Sequence, residues 1–119
     1  KIIFNRINNF NNYKKNLNIN KINLQYFGTN TKIIPWTMPL IIENKKRDDL
    51  FNFLKSKDIE TRKGFYSADR LKIFNKDTNQ SLINSNYLSK NIICLPFYIG
   101  ITKKQILYIC RWVNYFINQ

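Results

Sequence analysis

The sequence predicts an α+β fold in which helices pack on a small, mostly antiparallel sheet. Apolar residues recur at helical spacing near both ends of the chain, and they alternate with period two from residue 32 onward. The predicted elements follow the order helix, strand, helix, strand, short helices, strand, helix. A chain of 119 residues can bury one modest core, and no repeat or low-complexity linker divides it. We therefore expect one domain over residues 1–119.

Residues 1–17 predict a lead-in helix. Apolar residues three or four positions apart form one stripe, which consists of Phe4, Ile7, Phe10, Tyr13 and Leu17. Residues 18–30 are predicted to be extended or a loop, with Gly28 in a turn. The α+β core is expected to cover residues 32–119.

Residues 32–42 predict the first strand. One face alternates with period two and consists of Ile34, Trp36, Met38, Leu40 and Ile42. Pro35 and Pro39 lie on the other face. Because proline cannot donate a ladder hydrogen bond, we expect this strand to be irregular or at the edge of the sheet.

A helix is predicted to begin after an Asn44 cap and to end near Lys57. Asp48 and Asp49 lie near its N-terminus, where the helix dipole favours negative charge. Its buried side is expected to consist of Leu50, Phe53 and Leu54.

The middle of the chain predicts short elements. A tight turn leads into a second strand over residues 58–66. Short helical or irregular pieces follow over 67–74 and 80–89. Residues 92–95 predict a buried strand that ends at Pro96.

The last helix is predicted over residues 103–117. Thr102 is its cap and Gln105 is in the capping-box position. Its apolar face is broad and consists of Ile106, Ile109, Cys110, Val113, Phe116 and Ile117, widened by Leu107, Tyr108, Trp112 and Tyr115. We expect part of this surface to contact a missing domain or subunit.

The formal net charge of +13 would suit a nucleic-acid partner. The 20 basic residues are 15 Lys and 5 Arg, spread along the chain without a block of five. Asn and Ile occur 19 times each, which favours an AT-rich genome as the source of the lysines. Nucleic acid is therefore not the expected partner.

The composition excludes several active sites. The chain has no histidine, so it cannot form a Ser-His-Asp or Cys-His triad. Cys94 and Cys110 are too few for an ordinary zinc site and are expected to be buried thiols, so no metal site is predicted. No apolar run reaches the length of a membrane span or of a signal peptide. We expect a soluble, cytoplasmic protein without a self-contained catalytic site.

Several segments resemble, in the same order, the motifs of one family. The stretch WTMPLII from Trp36 is similar to a tryptophan-bearing strand, and RDDLFNFL from Arg47 to an R-x-x-L-x-x-x-L helix. IETR, ending at Arg62, is similar to a G-I-E-T-R turn and strand, and LPFYIGITKKQI from Leu95 to an S-L-P-x-x-x-x-L-T-x-x-Q-I segment. Residues 6–17 are similar to the helix that precedes this domain. The chain thus resembles the C-terminal domain of the DegT/DnrJ/StrS family of sugar aminotransferases.

The resemblance implies the smaller domain of a fold-type-I aminotransferase that uses pyridoxal phosphate. Such enzymes transfer an amino group, usually from glutamate, onto a nucleotide-linked keto sugar in surface-polysaccharide or amino-sugar biosynthesis. The family's Schiff-base lysine lies upstream, in a larger domain. We expect this chain to contribute no catalytic residue and to bind no cofactor alone. Its expected partners are a missing N-terminal cofactor domain and, in the parent enzyme, a second copy.

The resemblance also implies a set of substrate-binding residues after the IETR motif. Arg62 corresponds to the family's arginine, and Phe65 and Tyr66 follow as its aromatics. An arginine fork binds phosphate or carboxylate, and an aromatic ring can cover a sugar or a base. Asp69 and Arg70 complete the predicted set. A structural salt bridge is the alternative role for Arg62.

Two departures from the family favour a second interpretation. The family usually has proline, one residue and then histidine where this chain has Ser67, Ala68 and Asp69, and a glycine where it has Lys57 and Asp58. The alternative is a divergent, non-catalytic remnant or binding module of the same fold. A basic nucleic-acid-binding module is a third interpretation.

Overall fold

The computed structural model contains a four-stranded antiparallel sheet with helices packed against it, which confirms the predicted α+β class. It describes residues 1–25, 28, 30–43, 46–74 and 82–119. The helices are α1 (Ile2–Asn16), α2 (Arg47–Lys55), α3 (Ile83–Asn91) and α4 (Lys103–Ile117). The strands are β1 (Asn23–Leu24), β2 (Met38–Ile41), β3 (Arg62–Lys63) and β4 (Ile92–Leu95), and a 3₁₀ turn lies at Ala68–Arg70.

The two central strands direct alternate side chains into the core. The strand order is β1-β2-β4-β3, and every neighbouring pair is antiparallel. The register places Met38 opposite Leu95 and Leu40 opposite Ile93, and all four side chains are buried. The opposite face of these strands carries the partly exposed residues Pro39, Ile41, Ile92 and Cys94.

The first predicted strand is much shorter in the structure. β2 begins at Met38, so the segment over residues 32–37 lies outside the sheet. Met38, Leu40 and Ile42 are buried as expected, but Ile34 and Trp36 are exposed. The prediction that Ile34 and Trp36 belong to this strand and share its face with Met38 is therefore wrong.

Pro39 lies in an interior strand rather than in an edge strand. The amide of Ile42 donates to the carbonyl of Asn91 on the β4 side, so by alternation the backbone of Pro39 points toward the β1 side. There β1 pairs only with Leu40 and Ile41. The missing amide hydrogen of Pro39 therefore removes no ladder hydrogen bond.

α4 is the central helix of the core and has the predicted bounds. Thr102 Oγ1 accepts from the amide of Gln105, and the Gln105 side chain accepts from the amide of Thr102, which confirms the predicted capping box. Ile106 and Val113 are fully buried. α4 contacts both α1 and α2, so its apolar face has more than one neighbour. Every helix in the described part of the chain is too short or too polar to cross a membrane.

Tyr13 joins the lead-in helix to the end of β4. Its ring is fully buried, and its hydroxyl donates to the carbonyl of Pro96 at 2.7 Å. Pro96 ends the strand, so this carbonyl has no partner in the sheet ladder. The Tyr13 hydroxyl satisfies a backbone acceptor that would otherwise be buried alone.

Arg47 fixes α2 against the sheet. Its Nη1 donates to the carbonyls of Ser89 and Ile92, both at 3.2 Å. These carbonyls lie where α3 ends and β4 begins. The N-cap of α2 is Lys46, two residues after the predicted cap, and Asn44 lies outside the described residues.

The second predicted strand is reduced to β3. Asp58, the first residue of the predicted strand, instead lies in the tight turn and adopts the left-handed conformation, with φ of 57°. The chain then runs alongside β4, but only Arg62 and Lys63 pair with it. Lys63 Nζ lies 2.9 Å from Asp48 Oδ1, so an ion pair joins β3 to α2.

Tyr13→Phe is expected to lower the free energy of unfolding by about 1–2 kcal/mol, because it leaves the buried carbonyl of Pro96 without its donor. The matched control is Tyr108→Phe, whose exposed hydroxyl lies 3.4 Å from the Lys57 carbonyl. Urea denaturation measures both variants. Equal midpoints for the two variants would contradict the role of Tyr13.

The burial of Tyr13 is also expected to make the free energy of unfolding fall at alkaline pH. Burial raises the pKa of Tyr13 well above its usual value of about 10. The tyrosine ionises more easily in the unfolded chain than in the folded one. Its contribution to the free energy of unfolding is therefore complete below about pH 10 and is lost as the pH rises above that value. Tyr13→Phe should flatten the fall in stability between pH 9 and 11. An identical alkaline profile in the wild type and the variant would contradict this assignment.

Candidate functional site

A groove lies at the end of the sheet where β2 begins and β4 ends. Its volume is about 1040 Å³. One wall consists of the segment before β2 and the chain from Asp58 to Arg62, and the other of the loop after β4 and the first turns of α4. A cavity of this size, with an apolar lining and a few charged groups, is typical of a binding site for a small molecule.

Residues from separate sequence motifs meet in this groove. Trp36, Arg62, Leu95, Pro96, Thr102 and Gln105 all line it. The tryptophan strand, the IETR segment and the LP…T-x-x-Q segment thus converge, although about 70 residues separate the first position from the last. α4 packs against α1 and α2, and its first turn lines the groove.

Trp36 and Phe65 form an exposed aromatic pair at the rim of the groove. Their ring centroids are 6.2 Å apart and the planes are tilted by 33°. Trp36 is 64% exposed and Phe65 is 77% exposed, so neither ring contributes its full area to the core. Large apolar rings left in solvent at the mouth of a cavity mark a surface for binding.

Four charged residues line the groove. Arg62 extends from β3, where its Cα is opposite that of Cys94, and Lys104 lies in the first turn of α4. Asp58 and Glu60 contribute two carboxylates. The lining therefore offers donors for an anion and acceptors for hydroxyl groups. Arg62 forms no ion pair with any residue that the structure describes, so its guanidinium is available for a ligand.

The cysteines have different environments. Cys110 is buried in α4, and desolvation raises its pKa to about 12. Cys94 is only partly buried and lines the groove, and desolvation raises its pKa as well. The expectation of two buried thiols therefore holds for Cys110 alone, and Cys94 can report on the groove by its reactivity. In the described part of the chain, no group of three or more His, Cys, Asp or Glu residues is placed to hold a metal.

Gly64 keeps Arg62 and Phe65 close to β4. A Cβ atom on Gly64 would lie 2.8 Å from Cγ2 and 2.9 Å from Cβ of Ile92. Its φ is not in the left-handed region, so glycine is needed here for close approach rather than for backbone conformation. The turn after β3 therefore depends on the absence of a side chain at this position.

Asp69 and Arg70 do not lie in the groove. Asp69 accepts from Ser67 Oγ and, at 2.6 Å, from Asn86 Nδ2. Arg70 Nε donates to Asn86 Oδ1 at 2.6 Å. These side chains tie the 3₁₀ turn to α3. The hydrogen bonds from Ser67 and then Asn86 lower the pKa of Asp69, so its carboxylate is ionised at neutral pH.

The five predicted site residues thus have three kinds of surroundings. Arg62 lines the groove, and Phe65 lies at its rim through contact with Trp36. Tyr66 is 77% exposed beside Phe65 in the chain. Asp69 and Arg70 belong to the link with α3 instead. The predicted set left out Trp36, Asp58, Glu60 and Lys104, although all four line the groove. For Trp36 the available signal was the neighbouring Pro35, which interrupts a strand.

Comparisons with known proteins agree with this fold. The DegT/DnrJ/EryC1/StrS aminotransferase family model matches residues 1–114. The chain is similar to S. venezuelae DesV in complex with a ketimine intermediate, with a TM-score of 0.88, 16% identity, and coverage of 98% of this chain and 32% of that chain. It is also similar to an aminotransferase of the same family name from Brucella abortus, with a TM-score of 0.85, 15% identity, and coverage of 98% and 31%.

A third structure is DesI in the presence of its TDP-sugar product, with a TM-score of 0.86, 15% identity, and coverage of 99% of this chain and 32% of that chain. Identities this low show a shared fold. The chain spans about a third of the length of these solved structures. No curated protein sequence matches it.

Gly64→Ala is expected to destabilise the chain by about 1–3 kcal/mol, because the new methyl group overlaps Ile92. Gly100→Ala is the control, since its nearest neighbouring atoms, in the Tyr98 ring, lie 3.9 Å away. Urea denaturation should place the control within about 0.5 kcal/mol of the wild type. Similar losses of stability in both variants would show that Gly64 is not in close contact with Ile92.

Ser67→Ala is expected to raise the pKa of Asp69 toward its usual range, because the variant removes the largest stabilising hydrogen bond to the carboxylate. The lowered pKa means that this link is intact above the pKa of the unfolded carboxyl and is lost as the pH falls through the folded value. Carbon-detected NMR titration of the carboxyl measures the shift. Ser85→Ala, at an exposed position on α3, should leave it unchanged. An unshifted Asp69 in Ser67→Ala would contradict the link.

Proposed function

The chain belongs to the DegT/DnrJ/EryC1/StrS aminotransferase family, and from this we propose that it is the smaller, C-terminal domain of a pyridoxal-phosphate-dependent sugar aminotransferase. The parent enzyme would transfer an amino group from glutamate to a nucleotide-linked keto sugar in the cytoplasm. Residues 1–17 would be the lead-in helix and residues 32–119 the α+β core. The length of the family's solved structures, about three times that of this chain, leaves room for a cofactor domain.

The convergence of the family motifs on one groove carries this proposal. Segments of an enzyme that are distant in sequence and meet at a cavity are placed to act on one ligand. Here the tryptophan segment, the IETR arginine and the start of α4 surround the same space of about 1040 Å³. A nucleotide sugar fits the mixture of aromatic rings, cations and carboxylates in that space.

Each group in the groove has a role that follows from its chemistry. The Arg62 guanidinium, free of ion pairs with described residues, can donate two parallel hydrogen bonds to a diphosphate. Asp58 and Glu60 can accept hydrogen bonds from sugar hydroxyls. The structure of DesI with its TDP-sugar product makes thymidine diphosphate the natural probe for this chain.

The groove does not fit the cofactor itself. Pyridoxal phosphate supplies an electron sink when it is bound through a lysine. Among the described lining residues the lysine is Lys104, which is exposed in the first turn of α4, whereas a Schiff-base lysine is activated by desolvation or by a neighbouring cation. Thr102 and Gln105 already cap the end of α4, where a phosphate could otherwise bind. We therefore assign this chain to substrate binding, and the cofactor lysine to the domain upstream.

Thymidine diphosphate is expected to bind the chain and to protect Cys94 from alkylation. Arg62→Ala should weaken binding at least tenfold, because a hydrogen bond to a charged group contributes about 1.5–3 kcal/mol. Arg111→Ala, an exposed arginine on α4 outside the groove, is the control and should change the affinity less than twofold. Calorimetry measures the affinity, and mass spectrometry measures the alkylation of Cys94.

Three outcomes would contradict the proposal. Equal losses of thymidine diphosphate affinity in Arg62→Ala and Arg111→Ala would show that binding depends only on the net charge of the chain. An absence of thymidine diphosphate binding would favour the non-catalytic remnant. Tight binding of duplex DNA that falls steeply with salt would favour the nucleic-acid module.

A further inference from the structure

Arg6 holds the backbone at the rim of the groove. Its Nη1 donates to the carbonyl of Trp36 at 3.0 Å and lies 3.4 Å from the carbonyl of Pro35. Arg6 belongs to α1, 30 residues before Trp36 in the sequence. One guanidinium thus fixes two successive carbonyls of a distant segment.

The backbone position of Trp36 depends on the hydrogen bond from Arg6 more than that of a residue within a strand would. The segment over residues 32–37 lies outside the sheet, so no ladder hydrogen bond holds its backbone. Trp36 is 64% exposed, so packing against the core restrains the indole only weakly. The Arg6 donor and the contact with Phe65 therefore restrain the backbone and the ring of Trp36, respectively.

Arg6 is not needed to dock α1 on the core. The opposite end of α1 is held by the buried Tyr13 and by Asn114, whose Nδ2 donates to the carbonyl of Asn16 at 2.8 Å. Arg6 lies more than one helical turn from these anchors. Its loss should free the Trp36 segment and leave the packing of α1 on α4 in place.

We propose that Trp36 and Phe65 form a platform on which the base of a nucleotide ligand stacks, and that Arg6 is the positioning residue of this platform. This rests on the proposed function. The platform lies at the rim of the groove that holds Arg62, so the base of a ligand would contact the rings while its diphosphate reaches the guanidinium. Arg6 acts through the backbone of Trp36 and does not touch the ligand.

Two probes separate the platform from the anion site. Trp36→Ala and Arg6→Met should each weaken thymidine diphosphate binding at least fivefold, because each removes or displaces the ring on which the base stacks. Both variants should leave the affinity for inorganic pyrophosphate within twofold. Arg62→Ala should weaken both probes. Lys14→Met removes one positive charge from an exposed position of α1 and should alter neither affinity.

The positioning role has a readout that needs no ligand. With 5-fluorotryptophan in place of tryptophan, the fluorine NMR signal of Trp36 should shift in Arg6→Met, while that of Trp112 stays unchanged. Arg6→Lys, which retains a donor, should return the Trp36 signal toward its wild-type position. The urea midpoint of Arg6→Met should stay close to that of Lys14→Met.

The results that overturn the proposal are distinct from those that overturn the function. A Trp36 signal that does not move in Arg6→Met rejects the positioning role. Unchanged thymidine diphosphate affinity in Trp36→Ala, while Arg62→Ala weakens it, rejects the platform and leaves the proposed function standing. This result would assign the exposed rings to contact with another domain. Failure of the wild-type chain to bind either probe rejects the function and the platform together.

Discussion

Burial of the apolar face of α4 is the constraint on which the rest of the structure depends. Ile106 and Val113 are fully buried, and α4 contacts both α1 and α2. Asn114 completes this packing, because its Nδ2 donates to the Asn16 carbonyl and its Oδ1 accepts from the Asn18 amide. The first turn of the same helix forms a wall of the groove. The packing that stabilises the core therefore also sets the width of the candidate site.

A second feature compensates for strands of only two to four residues. Three long side chains donate to backbone carbonyls in other segments: Tyr13 to Pro96, Arg6 to Trp36, and Arg47 to Ser89 and Ile92. The carbonyls of Trp36 and Pro96 lie outside the strands and have no ladder partner, whereas the Ile92 carbonyl also accepts from the Gly64 amide. An unpaired buried acceptor is costly. These hydrogen bonds hold backbone segments at or beyond the ends of the strands. Two of them also set the end of β4 and the rim of the groove, which links stability to the geometry of the site.

The candidate site could be predicted only in part. The IETR motif led to Arg62, because the arginine occupies a fixed position within the motif. Arg62 does line the groove. Asp69 and Arg70 follow within eight residues, but the 3₁₀ turn at Ala68–Arg70 directs them to Asn86 instead. Sequence proximity to a motif does not determine which cavity a side chain reaches. Trp36 was misplaced because period-two alternation continues through residues 32–37, where the chain has already left the sheet.

The sequence by itself determined the elements whose interactions are local. The bounds of α4, its capping box and β4 were all predicted correctly, since helix periodicity, an N-cap and a terminating proline act within a few residues. The tertiary structure alone decided the pairing of β1 with β2, the interior position of Pro39 and the anchoring of Trp36 by Arg6. These features depend on contacts between segments 16 to 57 residues apart, and no local pattern specifies which backbone group a distant segment will reach.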